Sequence, residues 1–399
     1  MKHFLLLLEL CVLVPFLAAG TEFHVNNQTG SDAADGLSPE KAFATLARAT
    51  KELRAGDVLV IAPGKTYGES LVLKRGGTAD RPIVIRGNGA VVSGLKPIPK
   101  DAWSDRGNGL FLNANKLCWG ALRPRVFLGE GRMLSVVCGH FKNVTPESLK
   151  PLQAIWNEEG IWFRAEAGKS AADYDLRGTY ATGGHSGVMI ESCDYITIEG
   201  VTAQCFPNDG FNVHGSCHGL IFRNIVSRWN GDDGFSVHED VQANVYHANL
   251  HHNDFGIQDI NASQTSFFGC TIVSNRLCGA DMYGGMRIFH DVDVRDNGVN
   301  QVCVSRGDAK HLHFEKGNPM LDGLVYMRNS RIGPGAGAGL RIGAEAGMTA
   351  VGTVISGVET GVSVDGKLHL ISSRIADCRK AAVKKGNAAV LVEERVVKE

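Results

Sequence analysis

The chain has 399 residues, with 41 Lys and Arg against 42 Asp and Glu and a formal net charge of −1. With no basic or acidic run, that balance argues against nucleic acid as a partner, because phosphate binding needs clustered cations. The 49 glycines against 12 prolines fit a fold with many tight turns rather than a disordered chain.

Lys2 and His3 precede an apolar run from Phe4 to Leu17, which ends in small residues at Ala18, Ala19 and Gly20. That order predicts a secretory signal peptide over 1–20, cut near Gly20, and hence a secreted or periplasmic protein. Glu9 and Pro15 interrupt the run, which is short for a membrane span, so no membrane contact is expected after cleavage. Nine cysteines follow, at Cys118, Cys138, Cys193, Cys205, Cys217, Cys270, Cys278, Cys303 and Cys378. They form no C-x-x-C pair or His-flanked cluster, which argues against zinc. Most are expected to act as small apolar core residues, and their spacing does not say which would pair in disulfides.

Residues 21–100 read as strand, helix and further strands, a cap followed by the first coils of a stacked body. Pro39 to Leu53 is the predicted helix, with Ser38 as its N-cap and Pro39 in its first turn. Asp57 to Ala62 and Ile83 to Arg86 read as strands. Residues 101–182 break the pattern and are expected to form an inserted β-rich segment. It contains Trp103, Trp119, Trp156 and Trp162, expected as packing residues, and a β-hairpin from Ile155 to Phe163.

From 183 to 399 a repeat can be counted. Small residues recur at Gly187, Gly210, Gly234, Gly256, Gly279, Gln301, Gly339, Gly361 and Ala382, in steps of 23, 24, 22, 23, 22, 38, 22 and 21. The excess in the long step is assigned to a loop between about Arg306 and Pro319. The residue after each anchor is apolar, from Val188, Phe211 and Phe235 to Val383, and polar residues alternate with further apolar ones beyond it. Asp259 stands in the inward row, either through a register slip or as a buried, hydrogen-bonded Asp. A unit near 23 residues cannot bury its own apolar face, but stacked units can. The expected fold is all-β: a right-handed parallel β-helix with an N-terminal capping helix.

Equivalent residues of successive coils then lie about 4.8 Å apart. One outward column holds Glu191, His214, His238 and Tyr283, and another holds Asn212, Ser236, Gln258 and Asp281. Asp209 and Asp233 precede their anchors, Asp232 adjoins them, and Asp254 lies one coil on. Carboxylates this close cannot all ionise freely, so at least one pKa should rise. A proton-bearing acid beside a base is what glycosidic cleavage requires. Asp232, Asp233, Glu239 and Asp240 also offer hard oxygen donors, so Ca²⁺ is the alternative to having no cofactor.

Asn208-Asp209-Gly210-Phe211-Asn212-Val213 followed by Asp232-Asp233-Gly234-Phe235-Ser236-Val237 resembles the N-T-D-G-x-D and D-D-C motifs of polygalacturonases, within the pectate lyase-like right-handed parallel β-helix superfamily. The resemblance implies inverting hydrolysis by three aspartates, carried here onto Asp209, Asp232 and Asp233. The G-H-G motif of that family is replaced by Asp254-Phe255-Gly256, and R-I-K has only Arg287-Ile288 nearby. His214 or His238 would have to take the role of the missing histidine.

The reading is therefore a monomeric carbohydrate-active enzyme that hydrolyses a polysaccharide or oligosaccharide. Asp209, Asp232, Asp233, His214 and His238 are the candidate catalytic residues. Glu191, Asn212, Ser236, Glu239, Gln258, Asp281, Tyr283, Arg306 and Lys310 are the candidate sugar-binding residues. A lyase acting on a uronate-containing glycan and a non-catalytic glycan-binding solenoid are the alternatives.

Overall fold

The computed structural model describes residues 20–114, 124–137, 144–180, 184–307 and 322–393. The predicted signal peptide up to Ala19, Lys310, Trp119, Cys118 and Cys138 lie outside them. No helix among the described residues is long and apolar enough to cross a membrane.

The repeat closes into a parallel β-helix. Leu71–Leu73, Val188–Glu191, Phe211–His214, Asp233–Val237, Phe255–Ile260, Cys278–Tyr283, Asn300–Ser305, Gly335–Ile342, Val358–Val364 and Lys380–Lys384 form one ten-stranded sheet, here called the anchor sheet. Each coil adds a strand to a second sheet face, as in Ile196–Gln204, Ser216–Arg223, Asp240–Tyr246 and Gln264–Phe268, and another to a third, as in Val226–Arg228, Asn249–His251 and Thr271–Val273. The two faces join into one twenty-stranded sheet because Ile83–Ser93 and Ile196–Gln204 run through both.

The predicted inward row is a ladder in the structure. Val188, Phe211, Phe235, Ile257, Ala280, Val302, Leu340 and Val362 pair in sequence and are buried. The last coil departs from the expected register. Val362 pairs with Ala382, and Val383 pairs with outward-facing Ser363, so the ninth anchor is Ala381.

The second to third sheet bend is turned by one left-handed residue per coil: Asn224, His247, Gly269, Asp291, Asn329, Gly352 and Ser372. The anchor glycines have a different origin. A Cβ on Gly234 would lie 2.6 Å from the Gly256 carbonyl oxygen of the next coil. The coils thus approach too closely there for any side chain. Beside the anchors, Asn230, Asn253, Asn275 and Asn297 form a buried amide ladder. Each accepts at Oδ1 from a backbone N–H one coil back, Phe206 N in the case of Asn230, and Asn297 Nδ2 donates onward to Gln301 Oε1.

Inside the coil the aromatic rings interlock. Phe222 meets Phe211 and Phe235 edge-on at 5.9 and 5.0 Å, and burial of each such ring contributes about 1.5–3 kcal/mol. Asp259 is buried within this core, where it accepts from Arg287 Nη2 at 2.5 Å and from the Ser263 and Thr265 hydroxyls. The inward Asp is therefore a partnered charge, not a slip of register.

The N-terminal helix is shorter than expected. A 3₁₀ turn covers Pro39–Lys41, and the α-helix covers Leu46–Glu52. Ser38 makes no capping bond, whereas the Thr45 side chain accepts from Arg48 N. Leu46 and Ala49 bury against the first coils.

Ile83–Ser93 pairs directly with Ile196–Gln204, so the chain between these strands leaves the ladder and returns to it. Outside the ladder it forms one antiparallel sheet from Leu95–Pro97, Leu176–Thr179, Val126–Leu128 and Arg132–Met133. Another sheet contains the Gln153–Asn157 and Gly160–Arg164 hairpin, in which Ile155 faces Trp162. Trp103 and Trp156 pack against the core of this excursion, and Trp162 is buried in a second cluster beside it.

Candidate active site

The excursion docks beside the aspartates. Buried Arg125, just before Val126–Leu128, donates to the Gly231 carbonyl at 2.8 Å and pairs with the buried carboxylate of Asp254. Arg276 reaches the same carboxylate from within the coil. Phe127 meets Trp229 edge-on at 6.3 Å. Asp254 N donates to the Asp232 carbonyl at 2.7 Å, so this clamp also fixes the backbone of the aspartate turn.

Asp209, Asp232 and Asp233 converge there, with one carboxylate oxygen of each within 4.8 Å of the others. Their environments differ. Asp209 and Asp233 are 3 % and 2 % exposed, whereas Asp232 is half-buried. Asp209 Oδ2 accepts from Asn208 Nδ2 at 2.9 Å and from Asn212 Nδ2, and Oδ1 accepts from Asp233 N at 3.0 Å. Burial, reinforced by the negative charge of Asp232, pushes the Asp209 carboxyl up to about 7 against those lowering hydrogen bonds. Asp209 thus retains a proton at pH values where an ordinary carboxyl has lost it.

One coil on, a second chain of contacts runs outward. The Ser236 hydroxyl donates to Asp233 Oδ2 at 2.8 Å. Its oxygen is then the acceptor for His238 Nε2, 3.2 Å away, which leaves the lone pair of that ring on Nδ1. His214 stacks on His238 with ring centroids 4.2 Å apart and planes 14° from parallel. Glu239 Oε2 lies 3.3 Å from His214 Nδ1 and accepts from Gly215 N at 2.9 Å. Burial would raise the Glu239 carboxyl. The hydrogen bonds from His214 and Gly215 and the charges of His214 and His238 outweigh it and draw the group down to about 2. Glu239 has φ +65°, a conformation that costs about 1–2 kcal/mol for an L-residue, and its carboxylate turns back onto the imidazoles.

A cavity of about 340 Å³ opens beside this cluster, lined by Lys74, His185, Met189, Glu191, Asn212 and His214 among others. Asn212 is both a wall of the cavity and the donor to Asp209, so Asp209 lies one hydrogen bond behind the wall. His185 Nδ1 lies 3.1 Å from Asn208 Nδ2, and burial together with the charge of His214 holds its pKa below the usual imidazole value.

The remaining candidates divide by position. Asn212, Ser236 and Asp281 were expected on an open outward face but are buried, and Gln258 is half-buried. Tyr283 donates its hydroxyl to Asp281 Oδ2 at 3.0 Å, two coils from the aspartates. Arg306 pairs with Glu345 and lies 3.9 Å from Asp322, three coils beyond Asp233 along the anchor sheet. It does not meet the aspartate cluster, and Lys310 lies outside the described residues. Sequence reasoning missed Lys74, His185 and Arg125. Lys74 and His185 precede the motif by a coil or more, and Arg125 arrives from the excursion.

Residues 186–318 match the family described as "Right handed beta helix region". Among solved structures, the fold is similar to XylC in complex with xylose, with TM-score 0.60 and 12% identity over 91% of this chain and 70% of that one. A structure described as a glycoside hydrolase aligns with TM-score 0.51 and 10% identity over 95% and 98%. Pectate lyase Pel9A aligns with TM-score 0.45 and 13% identity over 95% and 78%. A search of curated protein sequences returns no match. At these identities the likeness is one of fold: the chain is a right-handed parallel β-helix.

Proposed function

We propose that this protein is an exported carbohydrate-active enzyme that hydrolyses a glycosidic bond at the aspartate cluster. The observation that carries the reading is the convergence of three carboxylates in unlike environments beside a cavity of sugar-ring size. Asp209 is buried and holds a proton, while Asp232 is half-exposed and close enough for its charge to raise Asp209. Together they supply a proton donor for the leaving oxygen and a base for water, the two functions that glycoside hydrolysis divides between carboxyl groups. Asp232 is the most exposed of the three and is assigned the contact with sugar, with buried Asp209 as the proton reservoir behind it. Asp233 acts through Ser236 to fix His238, and His214, Asn212 and Glu191 line the approach. Export rests on the order of charged, apolar and small residues up to Gly20.

A lyase is the second reading, favoured by the stacked imidazoles beside a cavity that also holds Lys74. A basic side chain would take the C5 proton of a uronate there. A panel of neutral and uronate-containing polysaccharides separates the two readings. Hydrolysis releases reducing ends without an unsaturated product, whereas elimination produces the ultraviolet absorbance of a 4,5-unsaturated sugar. Asp232→Asn is expected to lower turnover at least 100-fold, the lower range for losing general acid–base catalysis, with an unchanged melting temperature. An unaltered rate would sink the hydrolase reading.

A further inference from the structure

We infer that His214, His238 and Glu239 form a binding site for a divalent transition metal of the zinc class, with an open coordination position facing the cavity beside His214. Local spacing in the sequence argued against zinc, but the coil brings residues 24 positions apart onto neighbouring rungs. One ligand atom from each of the three lies within 4.8 Å of the others. Two imidazoles and one carboxylate form a donor set that leaves zinc a fourth position. It suits a borderline metal better than Ca²⁺, which takes oxygen ligands in larger number.

The surroundings of these side chains support the same assignment. A histidine that ligates a metal usually donates its other ring N–H to an oxygen, which fixes tautomer and orientation. His238 has this arrangement: Nε2 lies 3.2 Å from Ser236 Oγ, and the Ser236 hydroxyl donates to Asp233. Glu239 Oε2 already lies beside His214 Nδ1 and is held by Gly215 N. Two neutral imidazoles and one carboxylate also leave the bound cation with a net positive charge, suited to polarising a water or sugar oxygen in the fourth position.

Binding requires one local change. The rings now stack in parallel, and tetrahedral zinc bonds of 2.0–2.1 Å place two nitrogens roughly 3.4 Å apart, so the rings must tilt towards each other at the Glu239 edge. The metal takes the place of the proton between His214 Nδ1 and Glu239, and that proton goes to solvent.

The test uses the full mature chain, stripped with chelator and titrated with Co²⁺ in the absence of sugar. One equivalent is expected to bind, with the visible absorption of low-coordinate Co²⁺, and Zn²⁺ should displace it and raise the melting temperature. His214→Gln and Glu239→Gln should weaken binding more than tenfold. Ser236→Ala keeps all three donors and removes only the orienting bond, and should weaken binding about tenfold. Asp232→Asn should bind as the parent does. Absence of saturable binding by the folded parent overturns the proposal, as does binding that is lost in Asp232→Asn but retained in Glu239→Gln. Because no sugar is present, this result and the turnover of Asp232→Asn succeed or fail separately.

Discussion

At the scale of single residues, Asp209 gives the sharpest consequence. Its carboxyl is raised from 3.8 to about 7 in the folded chain, so the fold holds a proton that the unfolded chain releases. Between those values the native state binds more protons than the unfolded state, and stability falls as pH rises through that window. Asp209→Asn removes this term, and its melting temperature is expected to exceed that of the parent above pH 7, with little difference near pH 4. If Asp209 is the proton reservoir, parent activity should also fall above about pH 7. A variant that melts like the parent at every pH would remove the basis for this assignment. The motif itself was legible in sequence, because Asp209, Asp233, His214 and His238 echo at 24 residues. Their burial was not, since alternation separates inward from outward but does not say what covers the outward face. Arg125 and Lys74 come from chain segments that no local pattern connects to the motif.

At the scale of elements, the anchor glycines mark the repeat in the sequence, and their physical cause lies in packing between coils. Gly234→Ala places a methyl group 2.6 Å from the Gly256 oxygen, a contact that only backbone movement relieves. A destabilisation of about 1–3 kcal/mol is expected from such overpacking, measured by denaturant unfolding. An unchanged midpoint would mean that the coils have more room than this contact allows. The strands were largely legible because period-two alternation and the inward row repeat over eight coils. The last coil slipped by one because Ala381 and Ala382 offer two equivalent small residues. The helix was placed too early because Ser38-Pro39 is a favourable start, whereas Thr45 supplies the cap that is used. Asp259 was ambiguous because its partner Arg287 is 28 residues away, in the second sheet of the next coil.

For the molecule as a whole, most contacts join neighbouring coils, as expected of a solenoid, and the excursion is the exception. Its buried Arg125 is tied to Asp254 and Gly231 across more than 100 residues of sequence. Arg125→Ala removes one of the two cations on a buried carboxylate, and loss of a buried charge partner costs about 3 kcal/mol. The expected outcome is preferential proteolysis within the excursion, while the far-ultraviolet dichroism of the coil persists. Simultaneous loss of both signals would show that coil and excursion fold as one unit.

The excursion between Ser93 and Val188 has another property. The chain that follows it pairs straight onto the coil that precedes it, Val188–Glu191 on Leu71–Leu73 and Ile196–Gln204 on Ile83–Ser93, so the ladder's register is insensitive to what is spliced between them. Closing a longer loop adds only about 0.6 kcal/mol per doubling of its length. Such a junction works as a socket: one module can be exchanged for another while Asp209, Asp232 and His214 keep their places, provided the newcomer supplies a cation to Asp254 as Arg125 does. On the proposed reading, selection for a new substrate acts on the module docked against the aspartate turn, with the coil that holds the reactive groups left intact.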